Sequence, residues 1–314
     1  MLPDGRRLGA HLPIAPGPLD AVKRAHAIGA STIQVFADNP TAWRRRSEPS
    51  PQLEPFRERA REWDIRPVAI HASYLVNLPG PDAATFERSV AMLATELAGA
   101  ADFGARFVNV HIGSHRGTGV GTGIARLADG IAAVMAQAPR RTATLVLENS
   151  AGGGGGLGTT LGELAAIAAS LETRGIGRDD VAFCLDTAHA WGAGIDIGRP
   201  AAVDVFLDEF DERIGLDRLV LVHLNDTRSA LGSRTDRHEH LGAGRIGADG
   251  LARVLRHPRL IHAAYVLETP GMDAGYDAIN MERARALWAG SPLVPLPREA
   301  FELAGSARGR MAPA

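Results

Sequence analysis

The chain holds one cysteine, Cys184, so it can form no internal disulfide. That excludes a small disulfide-framed secreted scaffold and predicts a reducing, cytoplasmic setting. Lysine is almost missing too: Lys23 is the only one, and arginine carries the remaining positive charge. The segment Met1 to Arg7 is short and polar and no long apolar stretch follows it, so neither a signal peptide nor a membrane span is expected. Charge of one sign is not in excess. With 22% charged residues and a formal net charge of −2, the chain is neither a disordered polyelectrolyte nor a uniformly basic nucleic-acid binder. A neutral balance leaves DNA binding open, because the charge around a site decides it. No Rossmann glycine signature follows the first predicted strand, which counts against an open doubly wound sheet.

What is present is a core. The chain has 314 residues, 45% of them hydrophobic, a length compatible with one α/β barrel of roughly 250 residues or more. Short apolar runs predict strands at Arg7–Leu12, Thr32–Ala37, Pro67–Ala72, Phe107–Gly113, Thr144–Asn149, Val181–Thr187, Leu219–Asn225 and Ala263–Thr269. Unbroken runs such as TLVLEN and LVLVHLND suit parallel strands covered on both faces. Between them lie helical patterns: Asp20–Ile28, a long segment opened by Pro81-Asp82 and running to Phe103, and a stretch after Thr159-Thr160 with Glu163 placed as in a capping box. Strand–helix alternation repeated eight times predicts a closed (β/α)8 TIM barrel over residues 1–289. Residues 290–314, with several prolines and a GSARGR stretch, are expected to form a weakly ordered C-terminal tail.

The predicted strands carry a pattern at or near their ends. His71 falls in the third, His111 in the fourth, Glu148 in the fifth, Asp186 in the sixth with His189 three residues on, His223 in the seventh and Glu268 in the eighth. Asp236 and His238 follow the seventh, two apart, and so share one side of an extended segment. All strand C-termini of a barrel meet at one rim, where active sites are built. Imidazole and carboxylate are the donors that zinc prefers, and carboxylates can bridge two ions. One histidine of this kind is ordinarily a satisfied core or surface residue. Nine imidazoles and carboxylates at one rim would repel and desolvate one another without cations, so a metal site is expected. Two or three ions there could activate a shared water and clamp both oxygens of a phosphoryl displacement.

Several segments then match a known pattern. HASYLVNL at His71–Leu78, NVHIGSH at Asn109–His115, LENSAG at Leu147–Gly152, LDTAHAWGAG at Leu185–Gly194, VHLNDTRSALGSRTDRHEHLGAGRIG at Val222–Gly247 and LETPG at Leu267–Gly271 resemble the motifs of endonuclease IV, the apurinic/apyrimidinic endonuclease family 2. Gly9–Ala30 and Gln34–Trp43 resemble its first two strand–helix units, so the likeness spans about residues 8 to 288. The resemblance implies three zinc ions, with manganese admissible at some sites. By it, His71, His111 and the bridging Glu148 hold the first; Asp186, His223 and Glu268 complete the second; His189, Asp236 and His238 hold the third. Glu148 and Glu268 are the implied catalytic carboxylates, acting with a metal-bound hydroxide that attacks phosphorus 5′ to an abasic site in duplex DNA and leaves a 3′-hydroxyl and a 5′-deoxyribose phosphate. It further implies that Tyr74 and Leu75 insert into damaged DNA and help flip the abasic nucleotide, which is cheapest where a base is missing. Arg237, between two ligands, is a DNA-phosphate candidate, with a supporting structural role as the alternative. One departure stands out: a second inserting position, often arginine in the family, is Thr41 here, followed by Arg44, Arg45 and Arg46, with Asp38 and Pro40 lowering the basic character of that loop. A monomer suits an enzyme that must wrap a duplex.

Other readings remain. Glu148, Asp186, His223 and Glu268 also resemble the quartet that binds one divalent ion in xylose-isomerase-like sugar isomerases and epimerases. That chemistry has no need of His71, His111, His189, Asp236 and His238. A non-enzymatic damage binder would be expected to have lost ligands. The five glycines Gly152–Gly156 could approach a phosphate with their amides or simply form a mobile loop. Cys184 reads as a small core residue, and His11 is not expected to be a ligand.

Overall fold

The computed structural model describes residues 1–44 and 48–306. Eight parallel strands close into one barrel: β1 (Arg7–His11), β2 (Thr32–Phe36), β3 (Val68–His71), β4 (Phe107–His111), β5 (Thr144–Glu148), β6 (Val181–Asp186), β7 (Leu219–His223) and, after a two-residue ribbon formed by β8 (Asp226–Thr227) and β9 (His238–Glu239), the last barrel strand β10 (Ala264–Leu267). β10 pairs with both β7 and β1, which closes the ring. This is the expected (β/α)8 architecture.

Each strand stops earlier than its apolar run. Five of them end on a predicted ligand (His71, His111, Glu148, Asp186 and His223), and Glu268 lies one residue beyond β10. Pairing therefore ceases where the side chains must turn toward one another. Register reinforces this: His111 lies beside Glu148, and Asp186 beside His223. Below them a plug of Ala69, Phe107, Val146, Ala182, Cys184, Leu221 and Ala264 fills the barrel interior. The larger core lies between barrel and helices.

Ring closure demands one close approach. A Cβ on Gly9 of β1 would stand 1.8 Å from the carbonyl oxygen of Thr32 on β2, so only glycine fits there. The capping signals operate as read. Asp82 accepts from Thr85 N at 2.7 Å and opens the helix Ala83–Gly99, while Thr160 accepts from Glu163 N at 3.1 Å and opens Leu161–Glu172. A short helix, Thr187–Gly192, starts directly at the end of β6 with Asp186 as its N-cap, its side chain accepting from His189 N at 2.8 Å. In the segment read as a tail, Arg298–Ser306 is helical, and the carbonyl of its Ala300 is held by buried His240 Nε2 at 3.0 Å. No helix among the described residues is long and apolar enough to cross a membrane.

Candidate metal centre

All nine predicted donors converge at the C-terminal rim. His71, His111 and Glu148 offer ligand atoms within 4.8 Å of one another; so do Glu148, Asp186, His223 and Glu268; so do Asp186, His189 and His238. Asp236 joins the last group, with its carboxylate 3.3 Å from His189 Nε2 and 2.9 Å from His238 Nε2. Glu148 lies at the junction. Its Oε2 is 3.7 Å from His71 Nε2 and 3.6 Å from His111 Nε2, and its Oε1 is 3.1 Å from His189 Nδ1 and 3.4 Å from His223 Nδ1.

The imidazoles are oriented from behind. His71 Nδ1 is 2.8 Å from the Ala72 carbonyl, His189 Nδ1 is 2.9 Å from the Asn149 carbonyl, and His238 Nδ1 is 2.8 Å from the Glu268 carbonyl. A carbonyl can only accept, so each Nδ1 carries the proton and each Nε2 is left as the nitrogen that can bind a metal. The carboxylates are also steadied. Asn109 Nδ2 donates to Glu148 Oε2 at 2.6 Å, and Asn225 Nδ2 donates to Asp186 Oδ2 at 2.7 Å.

Buried polar atoms normally have partners. Here Glu148 Oε1, His223 Nδ1 and His238 Nε2 are buried and make no hydrogen bond among the described residues. All three face other members of the cluster, while Glu148 Oε2, His223 Nε2 and His238 Nδ1 are held by Asn109, Gln34 and the Glu268 carbonyl. A donor set of this kind, with its outer hydrogen bonds in place, fits divalent metal ions.

The electrostatics give the same picture. Burial favours the neutral forms, but His223 and His111 hold Glu148 well below the usual carboxylate range. His223 and His11 do the same for Glu268, and His238 and His189 for Asp236. Conversely, burial opposes charge on His238, yet Asp236 drives its pKa up to about 9. His189 is raised well above its ordinary value by Asp186 and Asp236 despite burial. His223 is raised likewise, against burial, by the Cys184 thiol and the carboxylates of Glu268 and Glu148. Without cations, protons must balance the carboxylates in this pocket.

Above the centre opens a cavity of about 900 Å³. Its floor includes His71, His111, His189, Asp236, His238 and Glu268, and one wall is built from Pro13, Pro16, Pro18, Pro49 and Pro51. Tyr74 stands on the rim, 38% exposed, its ring 5.2 Å from Phe36, 5.5 Å from His71 and 5.9 Å from His111. Leu75 beside it is half-buried. Arg237 is exposed; its backbone carbonyl accepts from Thr227 Oγ1 at 2.7 Å and so ties together the ribbon that presents Asp236 and His238. Thr41 is exposed and donates to Asn39 Oδ1 at 2.9 Å. Arg44 is exposed as well, while Arg45 and Arg46 lie outside the described residues. The glycine run is bridged to the loop after β4 by His115 N donating to Gly155 O at 3.1 Å.

Sequence reasoning missed the supporting amides. Asn109 and Asn225 stand two residues from His111 and His223, and Gln34 lies mid-strand in β2, fully buried. A polar residue two positions from a ligand on an inward-facing strand was the available signal. His11, not expected as a ligand, lies at the site's edge with Nδ1 3.2 Å from Glu268 Oε1.

The family model of the xylose isomerase-like TIM barrels matches residues 22–289. The probable endonuclease 4 of Methanoculleus marisnigri is 38% identical over 281 residues, covering 89% of this chain and 98% of that protein. The chain belongs to the endonuclease IV family. The probable endonuclease 4 of Haloarcula marismortui is 36% identical across 90% of this chain and 98% of its own length. The solved structure of endonuclease IV from Thermus thermophilus shares 39% identity with a TM-score of 0.79, covering 91% of this chain and 100% of that one. A D-psicose 3-epimerase solved in the presence of D-fructose, at 16% identity and a TM-score of 0.61, shares the fold with this family member.

Proposed function

We propose that this protein is a metal-dependent DNA repair endonuclease that hydrolyses the phosphodiester 5′ to abasic sites in duplex DNA. The observation that carries the reading is the convergence of nine donors, among which Glu148 Oε1, His223 Nδ1 and His238 Nε2 are buried without a hydrogen bond among the described residues and His71, His189 and His238 are held from behind by backbone carbonyls. Three zinc ions fit the donor count, with His71, His111 and Glu148 for the first, Asp186, His223 and Glu268 with Glu148 for the second, and His189, Asp236 and His238 for the third. Such ions supply Lewis acidity, a water of lowered pKa and a clamp on the phosphate oxygens.

The overall step is a hydrolysis. A water oxygen bonds to phosphorus and the P–O3′ bond breaks, leaving a 3′-hydroxyl and a 5′-deoxyribose phosphate. The protein's own residues position the reactants. Glu148 and Glu268 are the catalytic carboxylates, fixed in ionised form by the histidines around them. Tyr74, at the cavity rim, and the adjoining Leu75 enter the gap left by the missing base, and Arg237 pairs with backbone phosphate. Selectivity then comes from the low cost of extruding a nucleotide that has no base to unstack.

A one-metal sugar isomerase or epimerase is the rival on this fold. The quartet Glu148, Asp186, His223 and Glu268 would serve it, but the other five donors would have no task. The test is a duplex with one abasic analogue, incubated with metal-loaded protein. Incision on the 5′ side is the expected result; intact duplex with metal bound would overturn the reading.

A further inference from the structure

Gln34 is fully buried on β2 and reaches across the barrel to two strands on the other side of the closure. Its Nε2 is 3.0 Å from Glu268 Oε1, and its Oε1 is 3.1 Å from His223 Nε2. The direction of each bond can be deduced. Gln34 Nε2 donates to Glu268 Oε1, so the amide nitrogen faces the carboxyl group. The amide oxygen therefore faces His223, and His223 Nε2 must carry a proton to meet it. That leaves His223 Nδ1 as the inward nitrogen, 3.3 Å from Glu268 Oε2 and 3.4 Å from Glu148 Oε1, where it is buried without a hydrogen bond among the described residues.

His71, His189 and His238 present Nε2 and are braced by backbone carbonyls that the fold supplies anyway. His223 is reversed, presenting Nδ1, and the group that braces it is a side chain. We propose that Gln34 is the positioning residue of the second ion's site: one amide locks His223 with Nδ1 inward and turns Glu268 so that Oε2 faces the same point. This rests on reading the cluster as a metal centre. Two of that site's ligands depend on one side chain that touches neither metal nor substrate, so metal affinity at this position should be separable from affinity at the other two.

The experiment is chelator titration of the zinc-loaded wild type, Gln34→Met and Gln34→Glu, reading zinc per chain, together with the imidazole ¹⁵N–H spectrum of His223. In Gln34→Met, one ion per chain should leave at a free-chelator level about 10–100-fold lower than in wild type, the cost typical of losing an outer partner, while the remaining ions are unmoved. The His223 Nε2–H signal, protected from exchange in wild type, should be lost to solvent exchange. Gln34→Glu retains an acceptor opposite His223 but sets a carboxylate against Glu268 Oε1. It should therefore keep the protected signal and still release one ion early, and it decides the matter by itself if Gln34→Met fails to fold. Equal release from all three proteins, or no protected Nε2–H in wild type, would overturn the proposal. A wild type that takes up no zinc would overturn the metal reading and the affinity claim with it. The His223 signal of that metal-free protein still shows whether the Gln34 bond exists, which keeps the two failures distinct.

Discussion

His238 Nε2 lies 2.9 Å from Asp236 Oδ1, and its Nδ1 is held at 2.8 Å by the carbonyl of Glu268. A ribbon residue is thereby tied by one ring to a candidate donor two residues away and to the backbone of another that follows the last barrel strand. Asp236→Asn should leave the fold intact and remove one ion. Metal analysis should show one fewer zinc per chain, and incision should fall by more than the roughly 10–100-fold that loss of an outer partner costs. Unchanged zinc content would show that Asp236 is not a ligand.

The same pair sets a pH dependence in metal-free protein. Burial works against charge on His238, but Asp236 lifts its pKa to about 9, so the folded state favours the imidazolium. Its contribution to stability is complete below the unfolded value near 6.5 and is lost as pH rises toward 9. Thermal unfolding of the metal-free protein should occur at lower temperature at pH 9 than at pH 6.5. Zinc needs the neutral ring, so loading at neutral pH should release protons, measurable as buffer-dependent heat. Depressed Asp236, Glu148 and Glu268 act in the opposite sense, losing their contribution only as pH falls below the carboxylate range.

Tyr74 packs its ring on Phe36, His71 and His111 at the cavity rim. Removing it with Tyr74→Ala should weaken incision about tenfold, in line with roughly 1–3 kcal/mol for an aromatic stacked on a base. Zinc content should stay the same. A fall in zinc instead would mean that the ring supports the histidines and not the DNA.

How much of this was legible beforehand follows from the physics of each part. The strands were readable because a parallel barrel buries both faces of every strand, which leaves unbroken apolar runs such as Leu145–Leu147. The convergence of the nine donors was readable because a barrel places every strand C-terminus at one rim. Asn109 carried a signal in its spacing from His111, but Gln34 was not singled out, since a lone amide inside an apolar strand with no donor two positions away carries no signal until its partner on another strand is known. The helix Thr187–Gly192 was hidden because Asp186 is at once strand end, N-cap and ligand candidate, and the sequence does not separate those tasks.

Gly9 tests the barrel itself. Because a Cβ there would meet the Thr32 carbonyl oxygen at 1.8 Å, Gly9→Ala must push β1 from β2. Overpacking of this kind costs about 1–3 kcal/mol or more. Chemical denaturation should show that loss, with the ligand side chains untouched.

The most direct measurement is the metal content of freshly purified protein, by inductively coupled plasma mass spectrometry. Three divalent ions per chain are expected, one for each group of donors around Glu148, Glu268 and Asp236. A fully active protein that carries one ion, or none, would contradict the account.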